Sequence, residues 1–252
     1  MKVAWCFYGQ PRHLLQGSQT VKKFIQKNNA SVDFFCHAWY KDDGVLPKSP
    51  FAIDREGNNT IFTKDMTKQI LSSYGPVSYL FEESQTFSKA DLIDSLIMQQ
   101  TVRGDEYISN VLSMYNSRQK VMRMLIDYET KHGIKYDMIA VSRYDLMLEI
   151  PIKINTMDTS KIYSLDNGPP CGRFYVCTAF TIGSPQITKS LYRNIYDNID
   201  KFKNDYNIAK QAEEWTKSPF IINDEEMFMA NFALNRYSLS DIVFTPEIPN
   251  FC

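Results

Sequence analysis

The sequence predicts an α/β fold, a single domain in which a mixed sheet is flanked by helices. Three observations predict it. Short apolar runs alternate with segments of helical period, the arrangement of β-α-β units. The apolar runs end abruptly in polar or glycine-containing stretches, as strands feeding ligand-binding loops do. The length, 252 residues, is within what one hydrophobic core can serve, so residues 1–252 are read as one domain.

Taken in order, residues 3–8 are a short apolar and aromatic run that stops at Gly9-Gln10-Pro11, a buried strand entering a loop. A helix is expected over 18–28 and a second buried strand over 32–39. The polar stretch 41–63 contains Gly and Pro, shows no period, and reads as a long, partly mobile loop. Residues 63–73 read as helix and 77–81 as strand, because Gly75-Pro76 must end the helix between them. Within 113–132 the positions Met114, Arg118, Val121, Leu125 and Tyr128 recur at helical spacing, and Gly133 follows as a C-cap. That helix leads into a strand in 136–148, apolar at Met138, Ile139, Ala140 and Val141 and then polar at Ser142-Arg143-Tyr144-Asp145. Strands at 161–165 and 174–182 and helices near 186–200 and 224–234 complete the expectation.

Composition narrows the function. Twenty-eight Lys and Arg balance 29 Asp and Glu for a formal charge of -1, which offers no global attraction to a polyanion, so nucleic acid is not an expected partner. The five cysteines are scattered without a C-x-x-C pair, which fits a reducing, cytoplasmic setting better than a disulfide framework or zinc knuckle. The first apolar run is too short for a signal peptide or membrane anchor, and no membrane span is expected.

Several residues could carry chemistry, each with a structural alternative beside it. Arg143 and Asp145 alternate across Tyr144, so an extended chain puts a cation and a carboxylate on one face at a strand's C-terminal end. Such a pair could hold a metal-bound diphosphate, the carboxylate ligating a divalent cation, or could be a surface ion pair of little consequence. Gly9-Gln10-Pro11-Arg12 offers backbone for close approach and a guanidinium for phosphate, yet it matches neither G-x-G-x-x-G nor a Walker loop, which disfavours dehydrogenases and kinases. His37 and Trp39 share a strand face, as an aromatic wall with a polar group or as a satisfied core histidine beside a core tryptophan. Arg118 interrupts an apolar stripe and needs a partner, either a phosphate or a buried carboxylate. Asp224, Glu225 and Glu226 open a helix, where acids suit the helix dipole; alternatively one of them, Glu225 by preference, is a general base.

Three of these segments together, Gly9-Gln10-Pro11-Arg12, Asp33-Phe34-Phe35-Cys36-His37-Ala38-Trp39, and Tyr136-Asp137 leading to Arg143-Tyr144-Asp145, resemble the GT-A-type glycosyltransferases of large DNA viruses and bacterial polysaccharide loci. The resemblance implies a GT-A-like, Rossmann-like nucleotide-binding sheet. It also implies that Gly9 and Arg12 border the nucleotide of a nucleotide-sugar donor, that His37 and Trp39 sit near the donor pocket, and that Asp145 takes the metal-binding acidic role; Tyr8, Gln10, Arg118 and Arg143 are read beside them as donor-binding residues. A divalent cation, Mn2+ or Mg2+, is the implied cofactor. Two departures stand out: there is no D-x-D at 143–145, which leaves metal-independent transfer open, and Thr178 stands where such proteins often carry an aspartate on the acceptor side.

The expectation is therefore an enzyme that moves a sugar from a nucleotide donor, a UDP-sugar, to a hydroxyl of a glycan or glycoprotein acceptor with inversion. Its setting would be the cytoplasm, the host's if the protein is viral. A catalytically silent nucleotide-sugar or glycan-binding module is the alternative. A third reading is an interaction protein docking through 41–63 and 84–107.

Overall fold

The structure, a computed structural model, describes residues 1–11, 13–42, 62–87, 105–146, 153–166, 176–216 and 224–245. The strands are β1 (Lys2–Tyr8), β2 (Ser31–Tyr40), β3 (Ser78–Glu83), β4 (Met138–Arg143), β5 (Ile162–Asp166), β6 (Val176–Gly183) and β7 (Ile242–Thr245). The helices are α1 (Leu14–Asn28), α2 (Thr67–Tyr74), α3 (Asp105–His132), α4 (Pro185–Tyr192), α5 (Ile199–Asn204), α6 (Tyr206–Thr216) and α7 (Asp224–Leu234). All seven strands form one sheet in the order β3-β2-β1-β4-β6-β5-β7. Strands β1 to β4 are mutually parallel, β6 runs antiparallel to β4 and β5, and β7 is parallel to β5. The mixed α/β architecture expected from the sequence is thus present.

The central strands are apolar on both sides because both faces are covered. Val3, Trp5 and Phe7 point to one face with Cys36, Ala38, Met138 and Ala140, under α1 and α2. Ala4, Cys6 and Tyr8 point to the other with Phe35, Trp39, Ile139 and Val141, under α3 and the C-terminal helices. The crossover leaving β1 therefore lies on the opposite face from the one that arrives at β4. From β1 the chain runs outward through β2 to β3, and α3 returns it to β4 on the other side of β1, so the strand order reverses; the crevice beyond the carboxyl ends at such a reversal is the usual ligand site of open α/β sheets. Here it lies between β1 and β4, which end flush, with Tyr8 beside Arg143.

Helix α1 begins four residues before the expected 18, and the reason is tertiary. A Cβ on Gly17 would stand 2.1 Å from the Tyr144 carbonyl oxygen, so only glycine lets this helix lie against the turn after β4. Gly75 and Gly133, both at positive φ, end α2 and α3 as expected. The helix expected near 186–200 is two, α4 and α5, because side chains satisfy the carbonyls at the end of α4. The Asn231 amide donates to the Leu191 carbonyl at 2.7 Å and Arg123 Nε to that of Arg193 at 3.1 Å. Buried Asn198 is tied to Asn231 at 3.0 Å. Helix α6, strand β7 and the reversal of β6 were not expected from the sequence. Most of the expected loop at 41–63 lies outside the described residues. Among the described residues no helix is long and apolar enough to cross a membrane.

Candidate functional site

The crevice between β1 and β4 is built from three segments. The first is the end of β1: Tyr8 is fully buried and Gly9 takes φ 87, a turn that glycine makes without strain. Gln10 follows, half-buried, and Arg12 lies outside the described residues. The second is the turn after β4. The Arg143 guanidinium grips the Asp145 carboxylate at both oxygens, Nε donating to Oδ1 at 2.8 Å and a terminal nitrogen donating to Oδ2. The Arg143 side chain is 37% exposed whereas that of Asp145 is 2% exposed. A buried carboxylate thus fixes a half-exposed cation from behind, in the forked geometry that orients a guanidinium best.

The third segment is the middle of α3, where Ser117 and Arg118 face the sheet, both fully buried. A terminal nitrogen of Arg118 donates to the Tyr8 hydroxyl at 2.7 Å, and the guanidinium lies over the Tyr8 and Tyr115 rings at 4.5 and 5.3 Å. The partners described for Arg118 are thus a phenol and two aromatic faces. Ser117 Oγ accepts the Gly9 N–H at 2.8 Å and meets His37 Nδ1 at 2.7 Å.

His37 and Trp39 do share a face, ring edge to ring face at 4.8 Å, but both are interior. His37 Nε2 binds Glu82 Oε2 at 2.9 Å, and Glu82 also takes Lys120, which lies over the Trp39 ring at 4.7 Å. Burial pushes the His37 imidazole below its ordinary range against the opposing pull of Glu82, so the ring is neutral at physiological pH. The hydrogen bond from His37 and the Lys120 contact hold the Glu82 carboxyl down at about 2. His37 and Trp39 therefore stand behind the crevice, not in its wall.

Asp145 was expected to ligate a cation. Each of its two oxygens accepts one hydrogen bond from Arg143 and keeps a second lone pair. Among the described residues no group of three His, Cys, Asp or Glu side chains is placed to hold a metal ion. The positive charge at this turn is that of Arg143, half-exposed beside the buried Asp145 carboxylate. Asp224, Glu225 and Glu226 open α7 as expected, above buried Met227, Phe228 and Phe232, but their side chains lie outside the described residues. The same holds for the side chain of Thr178 in β6.

Sequence reasoning missed Ser117 and Glu82. A signal for Ser117 existed: it lies three residues after Met114 and four before Val121, on the buried stripe already drawn for this helix. Glu82 sits in an exposed edge strand without usable period, and only strand pairing brings it near His37.

No protein-family model matches the chain, and no curated protein matches its sequence. Among solved structures, the chain is similar to a glycosyltransferase involved in glycosylation of the major capsid of the virus PBCV-1, with 6% identity and a TM-score of 0.41. That likeness covers 97% of this chain and 81% of the other. It is also similar to the galactosyltransferase LgtC in complex with donor and acceptor sugar analogues, with 10% identity and a TM-score of 0.34, over 97% of this chain and 73% of the other.

Proposed function

We propose that the chain is a glycosyltransferase that binds the diphosphate of a nucleotide-sugar donor, a UDP-sugar, in the crevice between β1 and β4. One observation carries the reading: at the sheet's topological switch point, a half-exposed Arg143 is held in place by a buried Asp145 beside the positive-φ turn at Gly9. A nucleoside diphosphate gains negative charge as it leaves, and a guanidinium oriented beforehand stabilises that charge without reorganising. Gly9, Gln10 and Arg12 border the donor in this reading, and Tyr8 and Arg118 form the packed floor beneath it.

In an inverting transfer the acceptor hydroxyl oxygen bonds to the anomeric carbon as the carbon–oxygen bond to the diphosphate breaks and its electron pair passes to the diphosphate. The hydroxyl proton goes to a carboxylate, for which Glu225 is the candidate, with Asp224 and Glu226 beside it. The acceptor is a glycan or glycoprotein hydroxyl. Any Mn2+ or Mg2+ would arrive with the donor phosphates, since such ions take phosphate oxygens and keep several waters.

The test is a thermal-shift screen against UDP-, GDP-, TDP- and CMP-sugars, each with and without manganese. A rise in Tm with one nucleotide class supports the reading and names the base. A rise that needs manganese assigns the cation a role in donor binding, and no rise with any donor overturns the donor site. Donor hydrolysis or transfer then separates the enzyme from a silent binding module, which does neither.

A further inference from the structure

A buried hydrogen-bond chain runs from the surface of the sheet's edge to the loop at Gly9, crossing β3, β2 and α3. Lys120 donates to Glu82; Glu82 Oε2 lies 2.9 Å from His37 Nε2; His37 Nδ1 lies 2.7 Å from Ser117 Oγ; and Ser117 Oγ accepts the Gly9 N–H at 2.8 Å. For a neutral ring, one arrangement of protons satisfies every contact along it. A carboxylate only accepts, so His37 carries its proton on Nε2; the neutral ring then accepts at Nδ1, and Ser117 must donate there. With its hydrogen committed to His37, Ser117 Oγ is left as the acceptor for Gly9. Serine, histidine and glutamate in sequence are also the parts of a nucleophilic triad. Ser117 and His37, however, are both 0% exposed, and the serine oxygen already holds a main-chain amide, so no substrate carbonyl can reach it.

We propose that His37 and Ser117 are positioning residues for the donor loop: they fix the Tyr8–Gly9 peptide where the chain leaves β1, and so set the path of the backbone that faces the diphosphate. This rests on the donor reading above. The Gly9 peptide is where such a constraint counts. A glycine at φ 87 with nothing within 4 Å of its Cβ position has no side-chain packing to hold it, so its amide hydrogen bond is the tether. The other groups around His37 serve the same end: Trp39 packs on the ring edge, and the Tyr144 hydroxyl donates to the His37 carbonyl at 3.2 Å.

The experiment pairs Gly9 amide hydrogen exchange, read by NMR, with binding of UDP, GDP, TDP and CMP to the full chain. Ser117→Ala is expected to speed Gly9 exchange and to weaken nucleotide binding by about tenfold, the scale of one lost buried hydrogen bond. His37→Asn can place an oxygen near the Nδ1 position and keep Ser117 oriented, whereas His37→Gln reaches toward Glu82 and leaves Ser117 without its acceptor. The Asn variant should therefore lose less affinity than the Gln variant, a difference that generic loss of core packing does not produce. Unchanged Gly9 exchange in Ser117→Ala, or faster exchange with undiminished affinity, overturns the proposal, as do equal losses in the two His37 variants. A wild-type chain that binds none of the four nucleotides overturns the donor reading and the ligand half of the proposal, while Gly9 exchange still decides whether the chain holds the loop.

Discussion

On one face of β1, Trp5 packs against Phe24 at 5.4 Å and Phe180 at 6.0 Å, and Phe7 stacks on Tyr144 at 5.0 Å. On the other face, at the end of the same strand, Tyr8 meets a buried guanidinium, and Gly9 just beyond the strand hangs from a serine. The first face is mainly aromatic; its polar groups include the Trp5 indole N–H, which donates to Ser142 Oγ at 2.8 Å, and the Tyr74 and Tyr144 hydroxyls. The second buries Arg118, Ser117 and His37 together. Non-directional apolar contact can hold a sheet, but only directional bonds can aim a loop. The difference thus divides labour: one face supplies stability and the other positions the crevice.

Substitutions on the two faces should separate these roles. The largest effect is expected on the aromatic face, where Trp5→Ala should cost about 3–5 kcal/mol in chemical denaturation, the usual range for truncating a buried aromatic residue. A loss no greater than that of Ser117→Ala would erase the distinction between the faces.

Gly17→Ala comes next, at about 1–3 kcal/mol, the typical cost of overpacking. Because the new methyl pushes on the Tyr144 carbonyl, nucleotide affinity should fall along with Tm. A stable variant with full affinity would show that α1 can shift without moving the Arg143–Asp145 turn.

Asp145→Ala should nearly abolish transfer while the chain stays folded by circular dichroism, and Arg12→Ala should mainly weaken donor binding. Full activity in Asp145→Ala would remove the turn from the site.

The polar face should also make stability depend on pH. His37 is held below its ordinary value of 6.5 by burial, so as pH falls through 6.5 the unfolded chain takes up a proton that the folded chain does not. Stability is then complete above about pH 6.5 and declines below it. Glu82, lowered from 4.5 to about 2, adds a second loss in the same direction between those values. Denaturation midpoints measured from pH 8 to 5 should fall only below about 6.5, and His37→Asn should flatten that decline; an equal slope in the variant would assign it elsewhere.

The smallest effect is expected from Lys120→Met. Its pair with Glu82 is about one-third exposed on each side, and such pairs contribute roughly 0–1 kcal/mol.

How much of this was legible in the sequence follows from the range of the interactions involved. Strands β1, β2 and β4 and helix α3 could be read directly, because their apolar periods are local and both faces of the central strands are buried. The same local signal placed Arg118 on a buried stripe and Arg143 and Asp145 together at a strand end, where the structure has them. It could not tell whether His37 and Trp39 line a pocket or fill the core, since an alternating pattern describes both. The extra helix α6 and the edge strand β7 were missed, short elements stabilised by packing more than by propensity.

The sequence by itself determined which segments are strands, where each turns polar, and which helix carries a cation on its apolar side, because these are properties of neighbours along the chain. Only the tertiary structure decided that β6 reverses, that the strand order turns back between β1 and β4, and that His37 finds Ser117 80 residues away while Arg118 finds Tyr8 110 residues away. Those pairings depend on which helix covers which face of the sheet, and no local period encodes that choice.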